Sequence, residues 1–396
     1  MKKVTETELI RAANRRDILR TLRQHQELAR VDIGSYSKLS PATITAITAE
    51  LLQQGLLSEQ RSELDPSASR GRPKVKLKIV SDAAFYIGLK LSINEVRLFL
   101  GDATGKIVGQ TKLNPATLEF NQIQLLNWLH DVVEDFIQQQ GLDRSKIRGL
   151  GIAQQGVVRS DARGILWSPA VCGEHPQLLD QLEQRLELPV FMANDAYCLA
   201  VAIKNQEQYR ATDNLVAIQL GYGVGMGLIV NNPSYQPSMI ASTEFGHTKF
   251  SLNGPQCRCG KRGCIEAYLG DYAIYRDACA IYKLPQDDLL HPSEQQMQHL
   301  NQLASNPNEP MTQIFNQAGM VLGLGLANIM ALFNPQKIVI SGPGIRAFSH
   351  MQSAMNNTLE ASVLPYHHVE NVVETCNWNE DLSGLGIIAI IQQHTD

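Results

Sequence analysis

This chain of 396 residues contains no uninterrupted apolar run of the ~18–20 residues that would span a bilayer. Its opening stretch, residues 1–8, has none of the apolar core of a signal peptide. Both absences predict a cytoplasmic protein with no membrane insertion. A disulfide framework is also missing, because the seven cysteines are odd in number and most have no evident partner, which suits a reducing compartment. What remains is the composition of a soluble globular protein, 44% hydrophobic and 19% charged, with length for two or three domains.

Charge is unevenly placed. Residues 1–80 hold 15 Lys and Arg against 9 Asp and Glu, a surplus of +6, whereas the remainder holds 20 against 30, or −10. A basic head on an acidic body predicts that the head meets a polyanion. Local pattern supports this. Thr5 to Gln24 reads as a helix with Ile10, Ile18, Leu19 and Leu22 on one side. A second helix begins near Ala29 and ends in a polar turn at 35–39. A third is announced by Ser40 as N-cap, Pro41 at N1 and Gly55 as the stop. Its apolar face is Ile44, Ile47, Leu51 and Leu52. The opposite face, Ala42, Thr43, Thr45, Ala46 and Thr48, is short and hydroxylated, suited to a major groove. Ser40, Ala42, Thr43, Thr45 and Thr48 are therefore candidate DNA contacts. Strands near Leu56 and over Val75–Val80 flank a loop ending in Arg70-Gly-Arg72-Pro-Lys74. The loop reads either as a wing with Arg70 and Arg72 directed to a minor groove, or as a basic linker. Helix order, cap and wing together predict a winged helix-turn-helix over 1–80. It would bind double-stranded operator DNA as a dimer on a pseudo-palindrome.

In the body, 81–396, strands and helices alternate in an α/β pattern. Paired strands at 85–91 and 96–100 are expected to turn at Asp102–Gly105, and an apolar helix from Met320 to Phe333 leads to a strand at 337–341. Asn194-Asp195 follows a strand, where the pair can grip hydroxyls or simply cap a helix. The glycines of 221–227 follow another, where backbone N–H groups can approach phosphate or sugar. Within 244–266 stand His247, Cys257, Cys259 and Cys264, flanked by Glu244 and Glu266. One imidazole and three thiolates make a closed tetrahedral set for structural Zn²⁺, though the spacing is not that of a CxxC…CxxC ribbon and ordinary buried cysteines are the alternative. The two glutamates become candidates for ligand binding.

Together the winged head, Asn194-Asp195, the glycine loop, Glu244-Phe-Gly-His247, the CxCGxxGCxE run and the segment Phe333 to Gly342 resemble the repressor branch of the ROK family (repressors, unassigned frames and sugar kinases). The resemblance implies a two-lobed actin/hexokinase-like (ribonuclease H-like) body with zinc on His247, Cys257, Cys259 and Cys264. It implies sugar hydroxyls held by Asn194, Asp195, Glu244, His247 and Glu266. In the family's kinases the position of Asp195 is the base for the attacking hydroxyl. Here the family's Asp-x-Gly-Gly-Thr phosphate loop is replaced by Lys90-Leu-Ser92-Ile93-Asn94, and Tyr222 stands where the kinases have Thr. Phosphoryl transfer depends on positioning and charge neutralisation, so Asp195 is expected to be a vestigial base with no turnover. The expectation is a repressor of sugar uptake or catabolic genes, a homodimer or homotetramer, controlled by a sugar or sugar phosphate. Control by a phosphotransferase-system protein, or an active ATP-dependent sugar kinase, are the alternatives.

Overall fold

The computed structural model describes residues 6–61, 75–93, 95–230, 243–284, 291–365, 369–378 and 382–396. In the head, helices Glu6–His25, Arg30–Ser37 and Pro41–Gln53 pack on a three-stranded antiparallel sheet. Val75–Ile79 lies in the middle, between Glu27–Ala29 and Leu57–Arg61. Ser40 caps the third helix by accepting from the Thr43 N–H at 3.2 Å. Two expectations change. The second helix runs on through Ser37 before Lys38 turns left-handed at φ 57°, and Ile10 is exposed rather than packed. The strand Glu27–Ala29 left no readable alternation because it spans three residues. Arg70 and Arg72 lie outside the described residues.

The body has two sheets. In the first, Val190–Asn194, Ile147–Gln154 and Phe85–Ser92 are parallel neighbours, continued by antiparallel Glu95–Asp102 and Ile107–Leu113. Asp102–Gly105 therefore turns into Ile107–Leu113 and does not join the first two strands. Asp102 stabilises that turn by accepting from the N–H groups of Thr104 and Lys106. In the second sheet Asn214–Leu220 pairs antiparallel with Val224–Val230 and parallel with Lys337–Ser341, which pairs parallel with Val373–Thr375. Helix Asp195–Asn205 follows the first sheet, and the C-terminal helix Leu382–Thr395 packs on it through Ile387 and Ile390 against Cys198 and Val201.

One helix, Pro310–Phe333, has the length and composition to cross a membrane although polar residues interrupt its apolar sequence, and 61% of its most apolar window is buried inside the protein. Val321, Leu322 and Leu326 sit in the core of the second lobe, so its apolarity serves packing.

Head and body share apolar contacts. Ile18, Leu22 and Leu77 belong to the same buried cluster as Tyr86, Phe99, Ile388 and Ile391. Arg23 of the first helix pairs with Asp396, whose other oxygen accepts from the Tyr86 hydroxyl.

Candidate ligand cleft, metal cluster and nucleic-acid face

Strand ends from both body sheets open onto one cavity of about 750 Å³. Asn194, Asp195, Glu244, His247 and Glu266 all line it. That volume is within the ~300–1,000 Å³ usual for small-molecule sites.

Each side chain is held differently. Asn194 is the N-cap of helix Asp195–Asn205; its Oδ1 accepts from Ala196 and Tyr197 N–H, and its Nδ2 donates to the Gly156 carbonyl. The capping reading is thus observed, with one amide N–H left over for the cavity. Asp195 is buried and accepts from Gln219 Nε2 at 3.2 Å. Burial pushes its carboxyl upward, against the opposing charge of Lys90 and the Gln219 bond. Glu266 is buried as well. Its Oε2 accepts from the Val224 N–H at 3.1 Å, and its Oε1 lies 3.5 Å from the Tyr272 hydroxyl and 3.7 Å from Cys257 Sγ. Glu244 stands at the open rim, its Oε2 3.6 Å from His247 Nε2.

His247 faces two ways. Its Nδ1 lies 3.6 Å from Cys257 Sγ while Nε2 faces Glu244. The ligand atoms offered by His247, Cys257, Cys259 and Cys264 all lie within 4.8 Å of one another. Backbone at Gly260 (φ 84°) and Gly263 (φ 68°) makes the tight returns this requires. Burial pushes the Cys257 thiol up to about 12, so a thiolate there needs a compensating cation. The Lys249 ammonium donates to Cys264 Sγ at 2.9 Å from the outside. This donor set fits a metal ion.

Gly221, Gly223 and Gly225 of the glycine run line the cleft cavity. Gly221–Gly223 is the turn of a hairpin, and Gly225 and Gly227 lie in its second strand. A Cβ on Gly227 would sit 2.2 Å from the Ala196 carbonyl, and one on Gly223 would sit 2.7 Å from Glu266 Oε2. These glycines let the hairpin close on helix Asp195–Asn205 and on Glu266, which already occupies the Val224 N–H. Lys90 lines the same cavity, with Nζ 5.3 Å from the Trp378 ring centre.

Several lining residues had no signal in the sequence. Trp167 meets His247 edge-on at 5.8 Å, and Arg258 stacks over Tyr272 at 4.0 Å. Gln219 and Trp378 reach the cleft only through sheet pairing and a return of the chain.

On the head, Ser40, Ala42 and Thr45 are exposed and Thr43 is partly so. The Thr45 hydroxyl donates to the Pro41 carbonyl at 2.8 Å, which leaves its lone pairs outward. Thr48 corrects the expectation of an outward hydroxyl. It is fully buried, donating to the Ile44 carbonyl and accepting from Arg30 Nε at 3.0 Å. Arg30 draws that edge of the helix inward.

Comparison with known proteins places these features. The ROK family model matches residues 86–394 and the MarR family model residues 13–65. The xylose repressor of Bacillus subtilis (strain 168) is 24% identical over 395 residues, covering 99% of this chain and 98% of that protein. The DNA-binding transcriptional repressor Mlc of Escherichia coli (strain K12) is 25% identical over 374 residues, covering 93% and 90%. Among solved structures, a ROK family transcriptional regulator described as a homolog of the E. coli MLC protein superposes with TM-score 0.77 at 25% identity, covering 97% and 96%. A ROK family glucokinase from Streptomyces griseus in complex with glucose and AMPPNP superposes with TM-score 0.61 at 22% identity, covering 78% and 99%. That last likeness is one of fold.

Proposed function

The chain belongs to the ROK family, and on that premise we propose that it is a transcriptional repressor whose kinase-like body binds a sugar without phosphorylating it. The observation carrying this reading is the cleft itself. Asp195, Glu244, Glu266 and His247 converge on one cavity that also contains Lys90, where a kinase of the family would present the acid of its phosphate loop. Two buried carboxylates, a rim carboxylate and an imidazole suit the hydroxyls of a hexose, pentose or amino sugar, free or phosphorylated. Lys90 is a poor substitute for an acid that manages a metal-nucleotide.

His247, Cys257, Cys259 and Cys264 would hold structural Zn²⁺. When bound, the ion supplies the positive charge that three thiolates need. His247 would ligate through Nδ1, which keeps Nε2 turned to Glu244 and the sugar. Ala42, Thr43 and Thr45, with Ser40 at the helix start, would meet base edges or phosphates, and Arg70 and Arg72 of the wing would follow the minor groove. The head comprises 1–80 and the body 81–396. The protein acts in the cytoplasm as a homodimer or homotetramer on operators of sugar uptake or catabolic genes.

Coupling follows the packing. Sugar draws on Asp195 at the start of helix Asp195–Asn205, against which Leu382–Thr395 packs. The end of that last helix holds the head, through Arg16 on the Gln393 carbonyl and Arg23 on Asp396. A ligand favouring one lobe arrangement by about 1–3 kcal/mol changes operator affinity about 5–150-fold.

The test is a fluorescence-anisotropy titration of operator DNA against xylose, glucose, N-acetylglucosamine and their phosphates, run beside an ADP-release assay. One or more sugars should weaken DNA binding with no ADP formed. Steady ATP-dependent turnover would establish a kinase instead. If no sugar has an effect, control passes to a protein such as a phosphotransferase component.

A further inference from the structure

A second cavity, of about 630 Å³, lies where the first helix of the head meets the body. Its floor is apolar, with Ala202, Leu385 and Ala389, and its walls carry Arg16, Arg20 and Arg23 from the head and Arg210 from the body. Asp17 and Asp396 are the acids that line it. Four guanidinium groups face the side-chain carboxylates of Asp17 and Asp396. The pairing is selective. Asp17 answers Arg20 at 2.8 Å and Asp396 answers Arg23. Arg16 and Arg210 are instead held by neutral backbone carbonyls, of Gln393 at 3.1 Å and Asn205 at 3.2 Å. A carbonyl orients a guanidinium without cancelling its charge. The cationic charge is felt nearby: burial and Arg16 together hold His394 below its usual pKa, and burial with Arg20 does the same to Lys204 against the pull of Asp213. Amides of Gln24, Gln206 and Gln392 complete the walls with donors and acceptors suited to hydroxyls.

We propose that this junction cavity is a binding site for a small phosphate-bearing metabolite, distinct from the sugar cleft. The anionic group is gripped jointly by Arg16 of the head and Arg210 of the body. Guanidinium forks match phosphate oxygens in geometry and charge, and the volume leaves room for an organic portion beside the phosphate. Occupancy adds a link between head and body beside the apolar cluster and the Arg23–Asp396 pair that already join them. It also touches the far end of a helix already in use. Asn194 and Asp195 at the start of Asp195–Asn205 line the sugar cleft, while Ala202 and Asn205 near its end line this cavity. A phosphorylated metabolite and a sugar therefore meet one helix at opposite ends, and any change either makes in the affinity of the other must be reciprocal.

The probe is pyrophosphate, titrated into the full-length protein by calorimetry and thermal unfolding at constant ionic strength, with sodium chloride as the matched control. Saturable binding is expected, with a rise in melting temperature that chloride does not reproduce. Arg210→Gln should weaken it about tenfold, the loss of one charge-assisted contact, and Arg210→Lys less. Circular dichroism and the ligand-free melting temperature of Arg210→Gln report that the body is folded. Equal pyrophosphate affinity in wild type and Arg210→Gln, or no saturation beyond the chloride control, overturns the proposal. So does a loss of operator affinity and salt dependence in Arg210→Gln without pyrophosphate, which would make this surface part of the DNA interface. None of these readouts depends on which sugar fills the cleft.

Discussion

The metal cluster and the sugar cleft adjoin at His247 and Glu266, yet their relations to stability are opposed. The cluster gathers donors from 247–264 into a set that gains free energy when a cation arrives. The cleft keeps Asp195 buried, and desolvation pushes its carboxyl upward, a cost to the folded state wherever the group is ionised. On the proposed reading, a bound cation would stabilise the first neighbourhood, while the second keeps a destabilised carboxyl where a ligand would sit. Adjacency lets the first fix the second, since Glu266 lies 3.7 Å from Cys257 Sγ while presenting its carboxylate to the cleft.

Substitutions should separate the two. The largest effect is expected from Cys264→Ser, which removes a buried ligand from a site whose metal contributes on the order of 10–16 kcal/mol in comparable small domains. Metal content should fall and the melting temperature with it; full retention of metal would refute the ligand set. Asp195→Asn should cut sugar affinity about 10–150-fold, the value of one or two hydrogen bonds to a charged group. The same variant should match or exceed wild-type stability without sugar at pH 7. The sign follows from linkage. A folded-state pKa above the unfolded value gives stability present in acid and lost as pH rises through it, and the uncharged amide escapes that loss. The advantage of Asn should therefore vanish as pH falls below the unfolded carboxyl range, and an advantage growing in acid would contradict it. Gly223→Ala should reduce sugar binding several-fold by pushing Glu266 Oε2, 2.7 Å from the new methyl, out of place. Smallest are the head threonines. Thr48→Ala should cost about 1 kcal/mol of head stability with operator preference kept, because its hydroxyl bonds inward to Ile44 and Arg30. Thr45→Ala should leave the melting temperature unchanged and weaken operator binding, read by anisotropy. A reversal between these two would restore the fully outward face.

Short-range features were legible in the residues alone. Ser40, Pro41 and Gly55 mark the third helix because caps act within one turn. The cysteine cluster is visible because its donors are near neighbours in sequence. Thr48 was misjudged because its hydroxyl suggested an outward face, although the i, i+4 spacing puts it beside Ile44 on the buried side, where Arg30 from another helix meets that hydroxyl. Asp102–Gly105 was assigned to the wrong strand pair because a turn signal names no partners. The glycines of 221–227 suggested an approach to phosphate or sugar; Gly221, Gly223 and Gly225 line the cleft, where Gly223 also closes on Glu266 and Gly225 on Ala196.

What the chain by itself determined is the inventory and its local geometry: a capped basic head, a Cys₃His donor set, an Asn-Asp pair at a strand's end, and a lysine where a phosphate loop would need an acid. Only the tertiary structure decided that Asp195, Glu244, His247 and Glu266 face one cavity, and that arginines from the head and body surround another. Sequence patterns encode hydrogen bonds and periodicities within a few residues of each other. Cavities form from surfaces hundreds of residues apart, and burial, nearby charges and hydrogen bonds together shift the protonation of what lies inside them.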